Sequence, residues 1–199
     1  MLKTSETMLT LGIMLIMSIC TMVNSTFWSI LVTQGMHIPA KSLGLFPLLR
    51  SFVMLIFFFS VVPKIRAIRF KKPLLIGFFI FIISQLLLIV TPEKGYLVLI
   101  ISIFLEACSL SLISPLLDSM QVIMVDPQER ARLIAMLYVV VMALSTPFGW
   151  IAGVLSGIDH RLPFAMNIVL LAIGILLTLF ASFAASRKTK GQVDNVANK

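Results

Sequence analysis

Six long apolar stretches, separated by five short polar breaks, fill most of this 199-residue chain. Each stretch is close to the ~20 residues that an α-helix needs to cross a hydrocarbon layer ~30 Å thick. A backbone inside lipid must satisfy its own hydrogen bonds, which favours helices, and the ~10-residue alternating segments of a membrane β-barrel do not occur. We therefore predict an all-α membrane protein whose residues 1–186 form one domain of six transmembrane helices, at 8–33, 40–62, 73–90, 95–117, 133–155 and 163–186.

The composition agrees with a lipid environment. Hydrophobic residues make up 59% of the chain and charged residues only 12%, about half of the ~25% charged residues that are usual in soluble proteins. The net charge of +8 would suit nucleic acid, but the basic residues gather at the ends of the apolar stretches and form no basic face. We therefore expect no nucleic-acid partner. Cys20 and Cys108 lie inside apolar stretches, which is typical of small buried side chains.

The uneven distribution of lysine and arginine predicts the orientation of the chain. An even number of helices puts both termini on one side, and the side richer in these residues is cytoplasmic. Twelve of them lie on the side of the termini: Lys3, Lys64, Arg66, Arg69, Lys71, Lys72, Arg130, Arg132, Arg187, Lys188, Lys190 and Lys199. Only Lys41, Lys94 and Arg161 lie on the other side. We expect an integral plasma-membrane protein with both termini in the cytoplasm and a disordered polar tail at 187–199.

Polar residues at similar depths in four of the stretches form the candidate site. Arg50 lies about ten residues into the second stretch and Glu106 about eleven into the fourth, so a rise of ~1.5 Å per residue puts them at nearly one level. Asn24 in the first stretch and Ser145 and Thr146 in the fifth lie at a similar depth. Charges inside a membrane usually face the bundle interior or a water-filled cavity. We therefore predict that these five residues line a cavity that binds a substrate, and that Arg50 and Glu106 form a charge pair or share that cavity.

Less specific roles for these residues stay open. The Arg50 side chain could instead reach outward to the lipid headgroups. Glu106 could be a structural partner for Arg50 without binding a ligand. Asn24, Ser145 and Thr146 could simply form hydrogen bonds between neighbouring helices.

Two further patterns predict local structure around the fifth stretch. Gly149, Gly153 and Gly157 recur at every fourth position, a spacing that lets another helix approach closely. Before this stretch, Asp126 and a proline precede Glu129 and Arg130. An acidic N-cap followed three residues later by Glu is the capping-box arrangement, so we predict that a helix begins in this cytoplasmic loop.

The sequence offers little support for an enzymatic function. His37 and His160 both fall in loops on the side opposite the termini, so they cannot form a Ser–His pair within the bilayer. The chain contains no Gly-rich phosphate loop and no H-E-x-x-H helix. We expect no catalytic activity, no cofactor and no metal site.

A resemblance to a known family appears around the fifth stretch. The run Asp126-Pro-Gln-Glu-Arg-Ala-Arg132, followed by Ser145-Thr-Pro-Phe-Gly-Trp-Ile-Ala-Gly153, resembles the tenth-to-eleventh-helix region of major facilitator superfamily transporters. The basic loop from Pro63 to Pro73 resembles the loop between their eighth and ninth helices, without that motif's Asp and Gly. The resemblance covers the whole chain as helices 7 to 12, the C-terminal half of such a protein. It implies that the first and fourth helices line a central cavity, the second and fifth form its walls, and the third and sixth are peripheral.

A faint internal repeat agrees with this resemblance. Ile68 to Pro73 and Ile158 to Pro163 share the same Ile-to-Pro spacing and lie 90 residues apart along the sequence. An offset of three helices inverts the second copy in the membrane, and secondary transporters commonly contain such inverted repeats. We therefore expect two inverted three-helix repeats.

The resemblance implies a secondary active transporter of small solutes that works by alternating access and is present here as a C-terminal half. Its partners would be the lipid bilayer, an unidentified small-molecule substrate with or without a coupling ion, and a complementary N-terminal six-helix half or a second copy. Two alternatives remain: a self-sufficient homodimeric six-helix channel or transporter, and a membrane scaffold subunit that transports nothing. Substrate and direction of transport are not legible in the sequence.

The predicted topology can be tested with single cysteines at positions 94 and 190. On intact cells, a membrane-impermeant thiol reagent should label Lys94→Cys and spare Lys190→Cys until the cells are permeabilised, because the side richer in lysine and arginine is cytoplasmic. Labelling at 190 with protection at 94 would refute this orientation.

Overall fold

The computed structural model describes residues 4–61, 71–124 and 130–197. Within these ranges the chain forms six α-helices and no β-strand. The helices are α1 (Thr4–Ile30), α2 (Leu45–Val61), α3 (Lys71–Val90), α4 (Tyr96–Met124), α5 (Arg130–Ile158) and α6 (Leu162–Ala197). Five of the described helices, all except α2, are long and apolar enough to cross a membrane. The prediction of an all-α, membrane-embedded chain is therefore confirmed.

The second predicted span differs most from the structure at its start. We predicted a helix over 40–62, whereas a short 3₁₀ helix at Ala40–Ser42 and a turn precede α2, which begins at Leu45. Gly44 in that turn is a poor helix former, and Pro47 suits the first turn of a helix because its missing N–H would be unpaired there. The 17 described residues of α2 span ~26 Å, which is at the short end of the range for a transmembrane helix.

The remaining helices extend beyond the predicted apolar stretches. For example, α4 continues to Met124, seven residues past the predicted end at 117, and α5 continues to Ile158. Helical hydrogen bonds join residues four apart and do not depend on lipid, so a helix can continue past the apolar segment. The same reason applies to α6, which runs to Ala197. We expected a disordered tail at 187–199, whereas residues 187–197 are helical in the structure.

The core lies where α1, α3, α4 and α6 pack together. α3 packs against α4 and α6, and α6 also packs against α1. One cluster of fully buried side chains joins all four helices: Ile13, Phe78, Phe81, Ile113 and Leu171. A second cluster, nearer the connections at 36–44 and 91–95, includes Met36, Phe46, Leu88, Leu99 and Phe164. α2 and α5 flank this core, with α2 packed against α4 and α5 packed mainly against α1.

The outward faces of the helices are apolar. Large hydrophobic side chains such as Phe59 on α2, Phe79 on α3 and Trp150 on α5 are more than half exposed. Water would make such a surface costly at ~25 cal/mol per Å², whereas lipid is as apolar as these side chains. The exposed belt therefore supports the same conclusion as the helix lengths: lipid surrounds the bundle.

Among the described glycines, Gly77 makes the closest contact, and it joins α3 to α4. A Cβ added to Gly77 would lie 2.6 Å from Cγ1 of the buried Ile113. The Ser109 hydroxyl donates a hydrogen bond to the Gly77 carbonyl at 2.9 Å. About two helical turns along, the hydroxyls of Ser84 and Ser102 each donate to the other's carbonyl at 2.9 Å. Small residues and interhelical hydrogen bonds therefore hold this pair, as is common in membranes.

Of the three regularly spaced glycines on α5, only Gly149 makes a close contact with another described helix. A Cβ at Gly149 would meet the end of the Met22 side chain at 3.3 Å, and a Cβ at Gly153 would meet Phe27 only at 4.0 Å. Nothing among the described atoms lies within 4 Å of a Cβ at Gly157. Most of α5 is exposed, and the described neighbours of its glycines are the ends of single α1 side chains.

The contrast between Gly77 and Gly157 gives a matched pair of variants. Gly77→Ala should lower the free energy of unfolding by about 1–3 kcal/mol, because the new methyl group overpacks against Ile113. Gly157→Ala should change it little or raise it by up to ~1 kcal/mol, because alanine is the better helix former and the site is open. Thermal denaturation in detergent compares them. Equal effects of the two substitutions would contradict the packing described here.

Candidate functional site

An ion pair lies between α2 and α4. The Arg50 Nη2 atom is 2.9 Å from Oε1 of Glu106, and the Glu106 side chain is only 3% exposed, whereas that of Arg50 is 36% exposed. The equal depth of the two residues in the sequence had predicted this pair, and the pairing is confirmed. A buried carboxylate is costly unless it is paired and hydrogen-bonded, so Arg50 supplies the charge that lets Glu106 stay inside the bundle.

The direction of Arg50 decides between the two sequence-based alternatives for it. Residues one turn apart on a helix share a face, and Arg50 shares its face with Phe46 and Met54, both packed into the core. The guanidinium lies in a small cleft of about 50 Å³ that is also lined by Trp28 and Glu106. Arg50 therefore points into the bundle toward Glu106, and the alternative in which it reaches the headgroups alone is wrong.

Asn24 brings a third helix to the same carboxylate. Its Nδ2 atom donates a hydrogen bond to Glu106 Oε1 at 2.6 Å, and Asn24 is buried. Donors to an ionised carboxylate form the stronger class of hydrogen bond. One oxygen of Glu106 thus receives donors from both α1 and α2, so three of the five predicted site residues meet at one atom.

The polar chain continues through two residues that the sequence analysis did not select. Gln85 on α3 donates from Nε2 to Asn24 Oδ1 at 3.5 Å, and Asn167 on α6 donates from Nδ2 to Gln85 Oε1 at 3.5 Å. Asn167 Nδ2 also lies 3.4 Å from the Cys20 carbonyl. Both new residues are fully buried. The hydrogen-bonded chain from Arg50 to Asn167 therefore crosses five helices. The resemblance implied that the third and sixth helices are peripheral, yet each contributes one buried amide to the interior of the bundle.

A signal for these two residues was present in the sequence. Gln85 and Asn167 are single amides inside apolar stretches, each about five residues from the stretch end that lies on the side opposite the termini. The depth comparison that selected Arg50 and Glu106 would have matched these two with each other. Polar residues near the end of a span attract less notice because headgroups and water are close, and the resemblance had assigned both helices to the periphery.

Ser145 and Thr146 do not join this site. Both hydroxyls donate to the Met142 carbonyl of their own helix at 2.9 Å. Ser145 is buried and Thr146 is exposed. Asp126 and Glu129 of the predicted cytoplasmic loop lie outside the described residues, and Arg130 is described only as the first residue of α5.

Ser102 and Ser109 lie four residues before and three residues after Glu106, and this spacing puts them near the same face of α4. Their hydroxyls bond the carbonyls of Ser84 and Gly77 on α3. They therefore orient α4 against α3 and leave Glu106 directed toward α1 and α2.

A larger opening lies farther along α1, toward its N-terminal end. It has a volume of about 390 Å³, is open on one side and is enclosed by α1, α4 and α5. Its polar lining includes Thr21 from α1, Asp118 from α4 and Tyr138 from α5. Both this cavity and the Arg50 cleft lie along the contact between α1 and α4, one flanked by α5 and the other by α2. We call this line of openings the α1–α4 seam.

The coupling between Arg50 and Glu106 can be measured with a double-mutant cycle. Arg50→Ala and Glu106→Ala should each destabilise the bundle by about 1–3 kcal/mol, below the ~3–5 kcal/mol of a fully buried pair because Arg50 is about one-third exposed. Arg50→Ala should cost more, because it leaves the buried carboxylate uncompensated. The double variant should cost less than the sum of the two single variants.

Thermal unfolding in detergent provides the measurement, with Glu93→Ala in an exposed connection as a control that should change little. Additive effects within ~0.5 kcal/mol, with Glu106→Ala silent, would show that the two residues are not coupled.

Comparisons with known proteins do not add a family to this description. No family model, curated protein or solved structure matches the chain.

Proposed function

We propose that this chain is one half of a secondary active transporter of small solutes, equivalent to the C-terminal six helices of a major facilitator-type protein. The observation that carries the proposal is the Arg50–Glu106 ion pair inside a bundle of membrane helices. A charge near the centre of a membrane helix costs at least ~2.5 kcal/mol on insertion scales, and such residues usually mark substrate or ion pathways.

The hydrogen-bonded amides of Asn24, Gln85 and Asn167 favour a solute-binding role for the interior over a purely structural role. The Asn24 bond alone would suit either role, because any buried carboxylate needs hydrogen-bond donors besides its counter-ion. Gln85 and Asn167 do not touch Glu106, and they extend the polar interior to α3 and α6. A site held by surrounding hydrogen bonds is a preorganised site, which is what selective binding of a solute requires.

The α1–α4 seam supports the idea of a missing second wall. Its two openings both lie along the contact between α1 and α4, and the larger one is bounded by α5, most of which is exposed. In a two-unit transporter, substrate binds where the two units meet, and one unit rocks against the other. The seam of this chain would then be one wall of the pathway.

The proposal includes the finer topology expected from the sequence. All six helices, including α2, would span the plasma membrane as two inverted three-helix repeats, with both termini in the cytoplasm. The second wall would come from a complementary N-terminal six-helix half or from a second copy of this chain. The mass of the purified complex separates these two arrangements. A homodimer has twice the mass of this chain, whereas a complex with a different six-helix protein has the summed mass of the two chains.

Cysteine accessibility tests the proposal without knowledge of the substrate. Thr21→Cys and Ser114→Cys lie in the larger cavity of the seam, and Ile83→Cys lies among exposed apolar residues on α3 as a lipid-facing control. A charged, impermeant thiol reagent needs water to react. In native membranes, both cavity positions should react from each side, using intact cells for one side and inside-out vesicles for the other. Ile83→Cys should react from neither.

The native thiols allow this design because Cys20 and Cys108 are both buried. Cavity positions as inert as Ile83→Cys would favour a scaffold whose seam is closed and would overturn the proposal. Reaction from one side alone would contradict alternating access.

A further inference from the structure

The larger cavity of the seam has the size and lining of a small-molecule site. Its volume of about 390 Å³ falls within the ~300–1,000 Å³ that is usual for ligand pockets. Such pockets are mostly apolar and contain a few polar groups that fix the orientation of the ligand. This cavity fits that description, since methionine, leucine and valine side chains form most of its wall and a few hydroxyls and one carboxylate interrupt it.

The only charged side chain in this wall is Asp118. It is exposed, and among the described residues no lysine, arginine or histidine lies within ion-pair distance of its carboxylate. It lies twelve residues beyond Glu106 on α4, or ~18 Å along the helix axis. Arg50 lines the separate cleft and does not neutralise Asp118. The charge of this cavity is therefore negative and separate from the ion pair described above.

The other lining groups suit a cation with an apolar body. Tyr138 from α5 lines the cavity and can offer the face of its ring, to which cations are attracted within ~6 Å. Met14, Met17 and Met142 also line it, and methionine is flexible and polarizable, so it adapts to ligands of irregular shape. The Thr21 hydroxyl already donates to the Met17 carbonyl at 2.8 Å, which leaves its oxygen lone pairs available to a positive group.

From this arrangement we infer that the cavity binds a monovalent organic cation, with Asp118 as the counter-charge and Tyr138 and the methionines around the apolar part. The inference rests on the proposed transport function and names the class of its substrate. An anionic solute would meet an unneutralised carboxylate in the same space, and a neutral one would leave that carboxylate unpaired.

Binding to the purified full-length chain in detergent tests this inference directly. The probe is radiolabelled tetraphenylphosphonium, measured by equilibrium dialysis against empty micelles of the same detergent. Tetraphenylborate, which has the same shape and the opposite charge, is titrated in a separate experiment. Saturable binding of the cation and only micelle-level uptake of the anion are expected.

Substitutions then assign the binding to Asp118. Asp118→Asn removes the charge at nearly constant shape and should weaken cation binding by at least about tenfold, because opposite charges in contact at a partly exposed site attract by several kcal/mol. Glu93→Gln makes the same change of charge in an exposed connection outside the cavity and should bind as the unmodified chain does. Gel filtration and circular dichroism establish that each variant is folded.

A second pair of variants keeps the test decisive if Asp118→Asn does not fold. Ser114 lies one helical turn before Asp118 on the same cavity wall, so Ser114→Lys places an ammonium beside the carboxylate. It should weaken cation binding by a similar factor, whereas the uncharged Ser114→Gln should retain most of it.

Absence of saturable binding by the unmodified chain would overturn the inference. Equal binding of the anion would do so as well, and so would equal binding by folded Asp118→Asn, or by Ser114→Lys and Ser114→Gln. None of these results depends on a second unit or on solute flux. The cation inference can therefore fail while cysteines at positions 21 and 114 still react with the thiol reagent from both sides of the membrane. Conversely, an unreactive seam would overturn the transport proposal whatever this titration shows.

Discussion

The arrangement of this bundle depends on how one buried carboxylate is satisfied. Glu106 is almost completely removed from solvent, and its Oε1 atom receives donors from Arg50 on α2 and Asn24 on α1. Because a buried ionised group is tolerated only when its partners are correctly placed, the relative positions of these three helices are coupled. α2, the shortest of the six helices described, packs mainly against α4, so the ion pair is its main polar link to the rest of the bundle.

Depth was the property that the sequence encoded most reliably. The rise per residue of a helix is fixed, so counting from the ends of the apolar stretches placed Arg50, Glu106 and Asn24 at one level, and the structure brings them together. Depth says nothing about direction around the helix axis. Ser145 and Thr146 have the right depth, but a hydroxyl can bond the carbonyl of its own preceding turn, and both do so.

Helix packing shows a similar limit. Small residues permit close approach but do not require it, and which faces meet is decided by the whole set of contacts. Of the regularly spaced glycines of α5, Gly153 and Gly157 stay open and Gly149 meets only the end of the Met22 side chain. An isolated glycine, Gly77, makes the tightest of the described glycine contacts because Ile113 and Ser109 of α4 are opposite it. No pattern within α3 alone distinguishes Gly77, since the residues that make it necessary lie more than thirty positions away in the sequence.

The connections at one end of the bundle are joined to one another. The Lys94 amide donates to the Met36 carbonyl at 3.1 Å, and the Arg161 guanidinium donates to the Thr91 carbonyl at 3.2 Å. The connections between α1 and α2, α3 and α4, and α5 and α6 therefore form a hydrogen-bonded cap, in which Met36 and Thr91 are also buried. Because these two bonds join three successive helix pairs, a displacement of one pair at that end would break its hydrogen bond to the next.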